Sequence, residues 1–252
     1  MKLGLCLEGG GAKGAFQAGV IKALYDKGIN KFYSISGTSI GAANGYAVFT
    51  GNACKLENMW KNMSGEKEKI QIINNTVDNS ILLDRLKNMY DENKKVSENF
   101  YVNYVQVKNK DVSEIIVNLK NLSEEECLEN VKYSSNLPYS KRQSGDFRKD
   151  FIDDVVDGIY EGGKLDGGIL NNSLIQPLIE DEVDKIILIT MRHNYVVQEN
   201  IKNIYDENKI IAIGPEIPFE AKDTMRFEEE FCKVNFEKGY EIGSKKVAEI
   251  LK

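Results

Sequence analysis

The sequence predicts an α/β protein with a mainly parallel central sheet and helices on both faces. Two strand, turn, helix units lie within the first fifty residues. Lys2 to Glu8 and Phe32 to Ser36 are short apolar runs, each followed by a glycine-containing turn and a helical pattern. Parallel strands joined by crossover helices are the economical solution for such units. Lys185 to Met191 (KIILITM) adds an apolar run without alternation, the pattern of a parallel strand covered on both faces. At 252 residues the chain suffices for one domain, and we expect residues 1–252 to form one.

The first helix is predicted from Gly14 to about Lys27, where Phe16, Val20 and Leu24 share a face and Gly28 stands as its C-cap. A second, alanine-rich helix follows Ser39 to about Ala47. Residues 52 to 95 read as helical or irregular, and 61 to 80 carry too little pattern for an assignment. Tyr101 to Val107 and Ile115 to Leu119 read as strands. Ser123 and Glu126 have capping-box spacing for a helix reaching about Ser134. In the polar excursion 138–157, Phe147, Phe151 and Val155 lie four apart and predict a small amphipathic helix, either a cover for the site or a surface feature. A helix over 173–180, strands over 185–191 and 209–213, and one or two helices over 227–251 complete the pattern.

The composition, 42% hydrophobic and 29% charged, is that of an ordinary globular protein. A net charge of -6 and a pI near 5.1 argue against nucleic acid as a partner. Cys6, Cys54, Cys127 and Cys232 form no C-x-x-C pair, so neither a zinc site nor a disulfide framework is expected. The apolar run at the N-terminus is too short for a signal-peptide core, and no stretch has the length of a membrane span. The expected location is cytoplasmic, with any lipid contact peripheral.

Gly9, Gly11 and Gly14 satisfy G-x-G-x-x-G between a strand and a helix, which raises a Rossmann-like nucleotide site. Such a site needs a carboxylate near the end of the second strand to hold the ribose. Here that strand ends in Ile35-Ser36-Gly37-Thr38-Ser39. Gly37-Thr38-Ser39-Ile40-Gly41 is instead G-x-S-x-G, in which small residues on either side of the serine relieve a sharp strand-to-helix turn. The pattern arises by chance in about one chain in ten of this length, so its placement between strand and helix carries the weight. An acyl-transfer serine also needs oxyanion donors. The backbone amides of Gly9, Gly10 and Gly11, with that of Ile40 after the serine, are the candidates.

A base is harder to find, because the chain has one histidine, His193. A lone histidine after a strand is more often structural than catalytic. Asp166, followed by Gly167 and Gly168, is the better candidate, although an ordinary Asp-Gly turn would look the same. A carboxyl near its usual pKa of about 3.9 is a weak base for an alcohol, so burial or geometry must assist it.

Taken in order, Gly9-Gly10-Gly11-Ala12-Lys13-Gly14, Gly37-Thr38-Ser39-Ile40-Gly41 and Asp166-Gly167-Gly168 resemble the patatin-like phospholipase family. Asn171, Asn172 and the C-terminal Phe236, Gly239 and Gly243 extend the likeness. It departs where Ser173 stands in place of a common proline, where Tyr133 to Pro138 matches only loosely, and in the polar stretch 140–157.

The resemblance implies a three-layer sandwich and a Ser39–Asp166 dyad without histidine. It implies a glycine-loop oxyanion hole, with Gly14, Gly37, Gly41, Gly167 and Gly168 as motif support. It implies a lipid acyl ester as substrate, such as a phospholipid or lysophospholipid, and no metal or organic cofactor. Lys13 is most simply a solvated loop residue, with a headgroup phosphate as the other assignment. A nucleotide-binding protein and a catalytically silent scaffold of the same fold are the alternatives.

Overall fold

The computed structural model describes residues 1–63, 71–87 and 96–250. β1 (Leu3–Leu7) passes through a 3-10 turn (Gly11–Lys13) into α1 (Gly14–Asp26), and β2 (Ser34–Gly37) leads into α2 (Ile40–Phe49). Next come α3 (Leu56–Lys61), the hairpin of β3 (Ile72–Ile73) and β4 (Thr76–Val77), and α4 (Ser80–Lys87). The long strands β5 (Asn99–Lys108) and β6 (Asp111–Asn118) precede α5 (Glu124–Ser134) and α6 (Phe147–Val156). β7 (Lys164–Asp166), a 3-10 turn (Gly167–Ile169), α7 (Gln176–Glu180), β8 (Lys185–Ile189), α8 (Glu199–Lys202), β9 (Ile210–Ile213) and α9 (Glu229–Ile250) follow. Parts of the weakly patterned stretch, 64–70 and 88–95, lie outside the described residues, as does residue 251, the last of the C-terminal helix prediction.

The strands run in the order β6, β5, β2, β1, β8, β9, with β7 also paired to β5. β1, β2, β5, β8 and β9 are mutually parallel, while β6 and β7 run antiparallel to β5. The sheet is therefore mainly parallel, as expected, with an antiparallel margin. β2 pairs with the first half of β5, Asn99 to Val102, and β7 with the second, Tyr104 to Gln106.

Side-chain alternation divides the core into layers. Leu3, Leu5 and Leu7 of β1 meet α1, α2 and α9 in the largest cluster, whereas Cys6 meets Ile175, Leu178 and Ile186 on the opposite face. Val105 and Val107 pack with Phe151, Val155, Tyr160 and Leu165, so α6 covers the outer half of β5. α1 and α9 approach until backbone touches backbone: a Cβ on Gly19 would lie 2.0 Å from the Phe236 carbonyl, and one on Gly239 2.0 Å from that of Phe16.

Local signals also hold. The α1 terminus is a Schellman motif: Gly28 (φ 83°) donates to the Tyr25 carbonyl at 3.0 Å and Ile29 to that of Leu24 at 2.9 Å. Ser123 and Glu126 form the expected capping box. The helix expected over 173–180 begins only at Gln176, because Ser173 turns inward to hydrogen-bond the buried Glu8 carboxylate and Pro177 marks the first turn. Similarly, Thr190 and Met191 leave β8 to donate to Glu8 Oε2. Among the described residues, no helix is long and apolar enough to cross a membrane.

Candidate active site

The carboxyl ends of β1, β2 and β8 lie side by side, the edge at which parallel sheets place their ligand sites. At the end of β2 the chain reverses sharply, and Ser39 takes φ 56° and ψ −124°, a conformation rarely open to a side-chain-bearing residue. Gly37 and Gly41 permit it: a Cβ on Gly37 would lie 2.5 Å from the Gly41 carbonyl, and one on Gly41 2.1 Å from that of Leu7. Gly14 lets α1 approach Ile40 and Trp60.

Ser39 occupies the N-cap position of α2, yet its side chain makes no capping bond. Ser39 and Asp166 line the same cleft, and the serine side chain is near enough to the carboxyl to lower its pKa. The Ser39 N–H donates to Ser134 Oγ at 2.9 Å, fixing the turn from α5.

Asp166 ends β7 and is only 5% exposed. Burial pushes its carboxyl up from the usual 3.8 to about 6, and the opposing bonds from the Ser39 side chain and the Gly168 N–H offset only part of that. The Gly168 N–H donates to Oδ1 at 2.8 Å, so Asp166 also caps its own Asp-Gly turn. Gly167 lies against Asn103, where a Cβ would fall 2.4 Å from Oδ1.

The amides of Gly10, Gly11 and Ile40 meet no acceptor among the described residues, and all three residues line the cleft beside Ser39. Gly11 has φ 58° and lies under the Thr224 carbonyl, where a Cβ would be 2.1 Å away. Gly9 departs from the expectation. Its N–H donates to Asn172 Oδ1 at 3.0 Å, so that donor is already engaged inside the protein.

His193 is exposed, holds the Pro215 carbonyl through Nδ1 at 3.0 Å, and is not part of the cleft wall. Lys13 does line the cleft. It is partly covered, its ammonium lies 5.8 Å from the centre of the Phe219 ring, and burial lowers its pKa.

Three polar residues were not singled out in the sequence. Thr38 Oγ1 donates to Asn103 Oδ1 at 2.8 Å, and Asn103 Nδ2 donates to the Asn171 carbonyl at 2.9 Å and to Glu114 Oε1 at 2.7 Å. Asn103 thus ties the turn before Ser39 to the loop after Asp166. An asparagine interrupting the apolar strand YVNYVQV was the available signal. Glu8, fully buried, collects Ser173, Thr190, the Met191 N–H and Arg192 beneath the glycine loop. Ser134 left no signal in the sequence beyond its place at a helix end.

The cleft holds about 410 Å³, and its lining is mostly apolar, with Met63, Leu82, Leu137, Ile169, Met225 and Phe227 prominent. Phe147, the first residue of α6, joins this lining, while Phe151 and Val155 pack on the sheet. Among the described residues, no group of three or more His, Cys, Asp or Glu side chains is arranged to hold a metal.

A mainly parallel sheet, a serine on a strained strand-to-helix turn and a mostly apolar cleft beside it define an α/β protein whose candidate site lies at the carboxyl ends of its parallel strands. The chain belongs to the patatin-like phospholipase family, whose pattern it matches over residues 5–179. Among solved structures it is similar to the type III effector ExoU (11% identity, TM-score 0.55, 99% of this chain and 53% of that one). It is likewise similar to a chain of the heterodimeric ExoU–SpcU complex of Pseudomonas aeruginosa (13% identity, TM-score 0.52, 98% and 51%). These likenesses concern the fold, and the chain spans about half the length of those proteins. No curated protein matches it.

Proposed function

We propose that the protein is a serine-dependent lipid acyl hydrolase in which Ser39 is the nucleophile and Asp166 its base, residues 1–252 forming one acyl hydrolase domain. The observation that carries this reading is a buried Asp166 carboxyl sharing one cleft with the strained-turn serine, whose side chain caps nothing. Asp166 takes the Ser39 proton as Oγ attacks the acyl carbonyl. The oxyanion is met by the free amides of Gly10, Gly11 and Ile40 at the N-terminus of α2, where the helix dipole adds positive potential. Collapse breaks the ester C–O bond, and the departing alkoxide takes the proton from Asp166. Water then attacks the acyl-enzyme, giving its proton to Asp166, and the acid leaves with Ser39 restored. Burial helps the base, because a carboxyl near pKa 6 accepts a proton more readily than one near 4 and is still mostly ionised at neutral pH.

The mostly apolar lining suits an acyl chain, and the partner is a lipid acyl ester reached by peripheral contact with its aggregate. The reaction as written uses no cofactor.

The test is fluorophosphonate labelling followed by intact-mass and peptide mapping. One adduct on Ser39 is expected, absent in Ser39→Ala and slow to form in Asp166→Asn. A folded wild-type chain that leaves Ser39 unlabelled, and turns over no acyl ester, would favour a silent scaffold.

A further inference from the structure

We propose that Asn172 is the positioning residue of the oxyanion site, holding the Gly9–Gly10 peptide so that the Gly10 N–H points into the cleft. The inference rests on the reading of Ser39 as an acyl-transfer nucleophile.

The need for such a lock arises from the sequence. Gly9, Gly10 and Gly11 have no side chains, and glycine takes either sign of φ with little cost, so the local chain leaves these peptide planes free to turn. A donor that must be in place before charge develops cannot be left to that freedom.

Asn172 supplies the constraint with one carboxamide. Its Oδ1 accepts the Gly9 N–H at 3.0 Å and its Nδ2 donates to the Gly9 carbonyl at 3.4 Å. Only this orientation of the amide satisfies both groups. The two bonds grip different peptides. The Gly9 N–H belongs to the Glu8–Gly9 peptide, whose carbonyl end is held by Gln17 Nε2 at 3.2 Å. The Gly9 carbonyl shares a plane with the Gly10 N–H, and in a trans peptide the two point in opposite directions. With that carbonyl directed at Asn172, the Gly10 N–H is turned away from it, and Gly10 lines the cleft with Ser39.

The side chain is itself well founded. On one side of it the Asn171 carbonyl is held by Asn103, and on the other Ser173 is bonded to Glu8. Asn172 also stands over Gly168, where a Cβ would meet its Oδ1 at 2.9 Å and the Asp166 Oδ1 at 3.0 Å. One residue therefore sets the oxyanion loop against the loop that carries the base.

The test compares the wild type with Asn172→Ala and the near-isosteric Asn172→Asp. Asn172→Asp keeps an acceptor for the Gly9 N–H but sets an oxygen against the Gly9 carbonyl. Three quantities are measured: kcat and KM on a p-nitrophenyl acyl ester, inhibition by an alkyl trifluoromethyl ketone that forms a hemiketal oxyanion on Ser39, and inhibition by an unreactive alkyl ether of equal length. We expect kcat to fall by about 100-fold, the low end for losing one oxyanion donor, with KM within about twofold in both variants. Ketone affinity should fall in parallel while ether affinity holds.

A folded variant whose kcat stays within about threefold of wild type overturns the proposal, as does equal loss of ketone and ether affinity, which a merely structural role produces. Should Asn172→Ala fail to fold, Asn172→Asp decides alone. A wild-type chain that neither labels at Ser39 nor hydrolyses the ester overturns the functional reading and this inference with it. Normal wild-type activity with unaffected variants overturns the inference only.

Discussion

Gly37 and Asp166 stand two positions apart on the same edge of β5, Gly37 in register with Val102 and Asp166 with Tyr104. β2 arrives along that edge from one end and β7 from the other, so their carboxyl ends meet head on. Two residues of strand span about 7 Å, a gap that the turn through Thr38 and Ser39 bridges. The serine and the carboxylate, 127 positions apart in the chain (166 − 39), meet because one long strand offers the same edge to two short ones.

The pH dependence of acylation should report Asp166. Its carboxyl must be ionised to act as base, and burial raises its pKa to about 6. Activity against a soluble ester is expected to rise through that value and level off about one unit above it. A kcat/KM profile with its midpoint near the usual 3.8 would remove Asp166 from the role.

The same shift has a consequence for stability. A folded-state pKa above the unfolded one means that the native state binds this proton more tightly. The contribution is fully present below about pH 4 and is lost as pH rises through about 6. Two units correspond to about 3 kcal/mol. Asp166→Asn should therefore be inactive yet more stable than wild type at pH 8, by on the order of 2 kcal/mol, with no such gain at pH 4. Urea melts at the two pH values compare them directly.

Ser39 carries backbone strain at its strand-to-helix turn. At φ 56° and ψ −124° a residue with a Cβ costs about 1–3 kcal/mol, which glycine avoids. After the extra unfolded-state entropy of glycine, Ser39→Gly should melt above Ser39→Ala by about 1 kcal/mol, both variants being inactive. An equal or lower melting midpoint for the glycine variant would contradict the strain.

Ser134→Ala leaves the half-buried Ser39 N–H without its acceptor. A loss of about 1 kcal/mol is expected. Fluorophosphonate labelling of the folded variant should also slow, because the nucleophile loses its anchor. Chemical denaturation and labelling rate, measured on one preparation, separate the two effects.

Much of this was legible in the sequence because it is local. Strand, turn and helix at Leu3 to Asp26 and at Ser34 to Phe49 follow from hydrophobic runs and glycine spacing, as do the capping box at Ser123 and the stop at Gly28. The G-x-S-x-G spacing identified the strained turn because the steric conflict it relieves lies within five residues, apart from the Leu7 carbonyl packed against Gly41. The family likeness picked out Asp166, but no local pattern distinguished it from an ordinary Asp-Gly turn. Tertiary structure alone determined that β7 runs antiparallel along the free half of β5, which sets Asp166 against Ser39 and buries it. Tertiary structure alone also brought Asn172 to Gly9, Ser134 to the Ser39 amide and Asn103 between the two loops. Those bonds join positions from 65 to 163 residues apart, and hydrophobic periodicity carries no information about which distant polar group will complete a buried hydrogen bond.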